Sequence, residues 1–296
     1  MIKGRSDKIF DSLNYVLMIL VCAIVLIPLL FILANSFSDP EYVFFGEVSL
    51  IPKGFTFDTY KQVISYNDYM ILNGFKNTIY YTVLGTAISM SLTFLAAYPL
   101  SRRDLKYKGV FMTLFVITMF FNGGLIPTFL VVRELQLYNT TLGFILPGAL
   151  SVSNMIIVRT YMMTSVPYEL QEAGMIDGCS NFGLLFRIVL PLCKPIIAIM
   201  ILFYAVGYWN SYYNALIYLQ DESRAPIQQV LRKLFSQTKS AGISSSSMTA
   251  TSTELSKLAE AMQYAVIVVA MAPILCAYPF LSKYFEKGIM LGSLKG

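Results

Sequence analysis

The sequence offers few side chains for covalent chemistry. It contains no histidine, which removes Ser-His-Asp and Cys-His nucleophile activation and every His-ligated metal site. Its cysteines, Cys22, Cys179, Cys193 and Cys276, show no CxxC spacing, and two fall in apolar runs, so neither a disulfide framework nor a zinc site is indicated. No G-x-x-x-x-G-K-[ST] phosphate cradle occurs. The chemistry left is recognition. Its most informative stretch is 165–195, SVPYELQEAGMIDGCSNFGLLFRIVLPLCKP. Pro167 suits the first turn of a helix, and Glu169 and Glu172 favour a helix amino end. Gly178 then breaks that helix and Asn181 is placed to cap the next. Phe182, Leu185 and Phe186 follow at helical spacing, with Pro191 and Pro195 closing the stretch. A short helix–turn–helix with a polar end to offer a partner is expected; an interfacial helix with no partner is the plainer alternative.

A second set, Asn122, Asn154, Trp209, Asn210, Tyr213 and Asn214, combines amides with aromatic faces, which suits sugar rings and hydroxyls. The same residue types also join helices to one another through hydrogen bonds.

Both sets must be positioned by apolar helices. Hydrophobic residues make up 56% of the 296 and charged residues 13%, about half the charge usage of a soluble domain, and mean hydropathy is +0.62. A bilayer core of about 30 Å needs about 20 apolar residues in a helix. Six stretches qualify, near 15–34, 79–99, 110–132, 142–162, 195–216 and 262–281, with no charge in the middle of any. They lack the polar stripe of a soluble helix, so the fold class is an all-α integral membrane protein. The first stretch exceeds the 7–15 apolar residues typical of a cleaved signal, so a retained anchor is expected.

Basic residues set the orientation. The chain carries 22 Lys and Arg against 17 Asp and Glu, a net +5. Arg102, Arg103, Lys106 and Lys108 crowd one short loop; Lys3, Arg5 and Lys8 precede the first stretch, and Lys283, Lys287 and Lys295 follow the last. These segments and 165–195 fall on one side, which the positive-inside rule makes cytoplasmic, with loops 37–75 and 217–261 outside. Gly123, Gly124 and Pro127 interrupt the third stretch, Pro147 and Gly148 the fourth, and Pro273 and Pro279 the sixth. Freed backbone groups in lipid must be covered by protein or line a wet cavity, so broken helices hint at a pathway. The Ser/Thr-rich run 240–253 reads as a flexible outer loop.

Glu172-Ala173-Gly174, Asp177-Gly178-Cys179, Phe186, Ile188 and Pro191 resemble the EAA loop of ABC-importer permeases, roughly E-A-A-x-x-D-G-A with a spaced Phe and I-x-L-P. Gly174 and Cys179 depart from the usual alanines but stay small. The third-stretch NGGLIPTF, Tyr208-Trp209-Asn210 and the ending KYFEKGIMLGSLKG are similar to the maltose-type, carbohydrate-handling subfamily. Within it the likeness is greatest to the lipoprotein-linked and complex-polysaccharide branch of Gram-positive bacteria, over nearly the whole chain.

The resemblance implies a type I importer permease fold: a cytoplasmic segment 1–14, a six-span domain 15–281 with the EAA loop at 165–195, and a cytoplasmic tail 282–296, in a bacterial plasma membrane. It implies a second homologous permease (a heterodimer in this branch), two ATPase subunits carrying ATP and Mg, an extracellular solute-binding lipoprotein, and no cofactor or metal on this chain. Glu172, Ala173, Gly174, Asp177, Gly178, Cys179, Phe186 and Pro191 would couple to the ATPase, with Glu172 the charged contact and Gly178 the turn. The loop 217–261 would reach toward the binding protein. An importer of a non-sugar solute keeps the same loop. An ion-coupled transporter would show charges inside its spans, and a membrane enzyme would need catalytic groups; neither is seen in the sequence.

Overall fold

A computed structural model describes residues 5–65, 70–243 and 250–293. In chain order the helices are α1 (Arg5–Ser36), α2 (Pro40–Phe44), α3 (Asp58–Ser65), α4 (Met70–Ser101), α5 (Lys108–Phe120), α6 (Leu125–Glu134), α7 (Thr141–Ile145), α8 (Val152–Ser165), α9 (Tyr168–Ile176), α10 (Asn181–Leu184), α11 (Leu190–Leu192), α12 (Lys194–Trp209), α13 (Tyr212–Tyr218), α14 (Ile227–Ile243) and α15 (Ala250–Ser293). No strand occurs among the described residues.

Three helical stretches are each long and apolar enough to cross a membrane: Lys8–Ser36, Met70–Ser101 and Ser256–Cys276. Three more candidates are bent pairs: Lys108–Phe120 with Leu125–Glu134 at 111°, Thr141–Gly148 with Val152–Ser165 at 59°, and Asn181–Leu192 with Lys194–Trp209 at 88°. Taking each pair as one span gives six.

The stretches 110–132 and 142–162 are broken, as their Gly and Pro residues lead one to expect, whereas other expectations need correction. Gly124, at φ +88°, starts α6 after the break following α5, where Phe121 leaves helical geometry. The stretch 195–216 is divided too, because α12 stops at Trp209 and α13 begins at Tyr212. The sixth stretch, by contrast, is unbroken: α15 carries Pro273 and Pro279 inside it, which neighbouring groups allow in membrane helices. The Ser/Thr-rich run is not all loop, since its first residues end α14 and its last begin α15. Residues 244–249 within it lie outside the described residues, as do Lys3 and Lys295.

The chain forms two compact units. In the first (1–72 and 230–272), the segment after α1 is folded rather than a bare loop. Phe37 gathers Phe55, Phe57 and Tyr60, with ring centroids 5.5, 5.6 and 5.1 Å away. The Asp39 amide donates to the Lys53 carbonyl at 3.1 Å, and the Ser38 hydroxyl receives the Lys53 amide at 3.0 Å. Ala34, Val43, Val48 and Ala261 close a small core.

The second unit (73–229 and 273–296) holds the larger core. Phe94, Ala97, Tyr98 and Leu100 of α4 meet Met155, Val158 and Met162 of α8, Leu184, Leu185 and Val189 of the 165–195 stretch, and Met200 and Tyr204 of α12. Tyrosine hydroxyls tie α4 to α12: Tyr204 to Thr93 at 2.6 Å and Tyr208 to Ser89 at 2.9 Å. Gly85 makes room for this contact. A β-carbon there would lie 2.7 Å from the Tyr208 ring.

Candidate functional site

The 165–195 stretch folds as two short helices joined by a tight turn. Pro167 is the residue before α9 rather than part of its first turn, and Glu169 lies in that turn. At the far end the amides of Asp177, Gly178 and Cys179 donate to the carbonyls of Ala173, Met175 and Gly174 at 2.9, 3.0 and 2.9 Å. Gly178 adopts φ +79°, the left-handed geometry that glycine takes without steric cost. Ser180, not Asn181, caps α10: its hydroxyl accepts from the Gly183 amide at 3.2 Å. The serine precedes the helix and its short side chain reaches back, whereas Asn181 is already in the first turn. A π-helical turn, Leu185–Val189, follows.

Burial divides the candidate coupling residues into two faces. Glu172, Ala173, Asp177, Gly178, Phe186 and Pro191 are exposed, and Ile176 and Phe182 join them as large exposed apolar groups. Gly174 and Cys179 face inward. A β-carbon at Gly174 would lie 2.6 Å from Leu184 Cδ2 and 2.7 Å from Ile188 Cδ1, and Cys179 packs against the main core. Their small size therefore serves the packing of the stretch on its own chain. The result is a rigid platform presenting one carboxylate-bearing, partly apolar surface.

The platform rests on the loop after α4, which the sequence marks only as basic. Arg102 is buried, 6% exposed. Its Nε and Nη2 donate to Asp104 Oδ1 and Oδ2 at 2.8 and 2.7 Å, and Nη1 to the Tyr98 hydroxyl at 3.1 Å. These bonds raise the guanidinium's pKa, Asp104 foremost, and the same pair holds the Asp104 carboxyl below the usual carboxylate range. Arg102 Nη2 also reaches Met175 Sδ of α9 at 3.2 Å. Nothing in residue type separates Arg102 from Arg103 or Lys106. The only available signal was its place directly after a helix end, followed two residues later by an acid.

Every member of the amide-and-aromatic set lies near a helix end, beside the breaks between α5 and α6, α7 and α8, or α12 and α13. Asn122 sits between α5 and α6, where its Oδ1 accepts the Gly124 amide at 2.9 Å. Asn154 occupies the first turn of α8, whose cap is Ser151. Trp209 ends α12, buried at 7% exposure with Phe75 edge-on at 6.1 Å. Exposed Asn210 donates to its own helix at Val206 O, 3.1 Å away. Tyr213 is exposed, and Asn214 Nδ2 approaches Gly148. The structure brings Trp209, Asn210, Tyr213 and Asn214 into one stretch of chain, and it gives Trp209 a packing role. No group of three or more Asp, Glu or Cys side chains placed to hold a metal occurs among the described residues.

The sequence pattern of the family described as "Binding-protein-dependent transport system inner membrane component" matches residues 91–290. Protein LplC of Bacillus subtilis (strain 168) is 40% identical over 99% of this chain and 97% of its own. The polygalacturonan/rhamnogalacturonan transport system permease protein YtcP of the same organism is 41% identical over 98% of this chain and 100% of its own. In three dimensions the chain is similar to one in the crystal structure of a bacterial ABC transporter involved in the import of the acidic polysaccharide alginate. The TM-score is 0.85 at 29% identity, covering 96% of this chain and 99% of that one.

Proposed function

Because the chain belongs to the family of inner membrane components of binding-protein-dependent transport systems, we propose that it is one permease subunit of an ATP-driven carbohydrate importer, most simply for an oligosaccharide of an acidic or complex polysaccharide. The observation that carries the reading is the platform 165–195, with Glu172 and the large apolar groups Ile176 and Phe182 exposed while Leu184, Leu185 and Val189 are buried in the core. A surface that is both apolar and charged, held on a short rigid helix, has the composition of a docking site for a folded partner. That partner is an ATPase subunit, one of two, holding ATP and Mg; this chain hydrolyses nothing. A homologous second permease completes the pathway, and an extracellular solute-binding lipoprotein delivers the sugar. Both termini and the platform face the cytoplasm. The carbohydrate class is supported by the polysaccharide importers to which the chain is similar.

The test is a pull-down of the tagged chain from mild detergent, with identification of what stays bound. Recovery of an ATPase and a second multi-span permease is expected. A chain that repeatedly purifies alone and folded would count against the assignment. The partner binding lipoprotein is then screened against oligogalacturonides, neutral oligosaccharides and non-sugar solutes; selective binding of a non-sugar would leave the importer and remove the carbohydrate.

A further inference from the structure

Two consecutive arginines grip both ends of α9. Arg102 meets its last turn through Met175 Sδ at 3.2 Å. Arg103 lies over the Tyr168 ring at its first residue, 4.9 Å from the centroid. A buried guanidinium is tolerated only when its N–H groups are satisfied. Here a two-pronged carboxylate contact from Asp104 and the Tyr98 hydroxyl fix it to the end of α4. A thioether is a weak acceptor, so Asp104 and Tyr98 hold the guanidinium and Met175 bears on a fixed plate. Lys108 Nζ adds a bond to the Arg102 carbonyl at 3.1 Å.

The chain of contact continues upward. The helix that ends at this plate is the one joined to α12 by Thr93–Tyr204 and Ser89–Tyr208. One turn beyond Tyr204, α12 ends at Trp209 and Asn210. By contrast, packing is open where the second half of the platform meets the loop. A cavity of about 290 Å³ lies there beside the plate, lined by Tyr98, Arg102 and Asp104 as well as by Leu105, Phe182 and Leu185. The half of the platform past Gly178 is joined to α4 through the apolar core, by Leu184, Leu185 and Val189, and the arginine pair adds a polar link from the end of α4 to α9 itself.

We propose that Arg102 and Arg103 are positioning residues that clamp α9 to α4, so that movement imposed on the platform is delivered to α4 and through the tyrosine bonds to the α12 end. This rests on the importer reading. It adds residues outside the 165–195 stretch to the coupling apparatus, and it explains why an arginine is needed: lysine carries the charge but cannot form the two-pronged contact.

The test uses the complete complex of both permeases, the ATPase and the binding protein in vesicles, with Asn210→Cys as a reporter of the α12 end and the chain lacking that substitution as background. The readout is the rate of modification by a membrane-impermeant maleimide with and without ATP and Mg, alongside ATPase retention on purification. In the parent, ATP is expected to change the rate. In Arg102→Gln/Arg103→Gln the ATPase should stay bound while that change shrinks by roughly fivefold or more, the lower reach of ordinary allosteric coupling. An undiminished response with the ATPase retained overturns the clamp. Should the double variant fail to assemble, Arg102→Cys/Met175→Cys replaces the guanidinium contact with a cross-linkable pair. This variant is made without the Asn210→Cys reporter and read by ATP-driven sugar uptake: the proposal requires weak uptake before a short bifunctional maleimide is added and restored uptake after it, and uptake that stays weak after cross-linking counts against it. A parent that retains no ATPase, or shows no ATP response at all, removes the importer reading and this inference together.

Discussion

At the residue scale, exposure separates side chains that meet a partner from those that hold the chain together. Glu172 is exposed, so Glu172→Ala should cut ATPase recovery in the pull-down while thermal stability in detergent stays within about 0.5 kcal/mol, the range of ordinary surface changes. Normal recovery with normal transport would take Glu172 out of the docking surface. Trp209→Ala belongs to the other kind. Its ring is buried against Phe75, and deleting a buried indole costs about 3–5 kcal/mol, so the expected loss is of stability first and of sugar response as a consequence. A stable variant with altered sugar-stimulated ATPase activity would return Trp209 to the pathway. The sequence named both residues, but it had no means of telling their roles apart, because an apolar surround is a property of the folded bundle. For the same reason Arg102 passed as one basic loop residue among four until its burial beside Asp104 was visible.

At the element scale, two glycines decide whether helices meet as they do. Gly178 sits at φ +79°, where a side chain costs roughly 1–2 kcal/mol and a β-branched one more. Gly178→Val is therefore expected to unseat α10 from α9 and to lower transport together with ATPase retention; a fully active variant would show that the turn is dispensable. Gly85 acts by close approach instead. With the Tyr208 ring 2.7 Å from where a β-carbon would stand, Gly85→Val should push α4 off α12 and break the Ser89–Tyr208 bond. Tyr208→Phe removes that bond, and the one the hydroxyl donates to the Ile145 carbonyl at 3.3 Å, without adding bulk, and interhelical hydrogen bonds in membranes average about 0.6 kcal/mol each with a ceiling near 1.7. The glycine variant should accordingly be the more damaging in a detergent melting experiment, and the reverse order would mean that the hydroxyl, not the close approach, holds the helices. Much at this scale was legible in the sequence: the apolar stretches, the interruption at Gly123-Gly124, and the helix–turn–helix broken at Gly178. The continuity of α15 through Pro273 and Pro279 was not, because whether a proline bends a membrane helix depends on neighbours that re-satisfy the freed carbonyl. Nor was the folding of the segment after α1, where an aromatic cluster around Phe37 does the work that periodicity could not reveal.

At the scale of the whole molecule, α4 acts as a ruler within the second unit. Near its start, Asn77 Nδ2 donates to the carbonyls of Ser223 and Ala225 at 2.8 and 3.1 Å, and the Tyr81 hydroxyl to that of Arg224 at 3.0 Å. Asn139, in left-handed geometry at φ 58°, receives the amides of Gln220 and Asp221 at 3.1 Å each and fixes the same segment. Immediately past its other end stands Arg102, carrying the 165–195 platform. At 1.5 Å rise per residue, Asn77 and Arg102 are separated by about 37 Å along the axis, more than the bilayer core of about 30 Å. On the importer reading proposed above, the two sites would lie on opposite sides of the membrane, with the basic loop of Arg102, Arg103, Lys106 and Lys108 and the platform on the cytoplasmic side. This predicts a labelling pattern in intact cells. Ser223→Cys, exposed in the Asn139-pinned segment, should react with a membrane-impermeant maleimide added outside, whereas Lys106→Cys should react only after the membrane is opened. Reaction of both from outside would mean that α4 does not cross the bilayer, and the inverse pattern would turn the chain over and put the platform beyond the reach of any cytoplasmic ATPase.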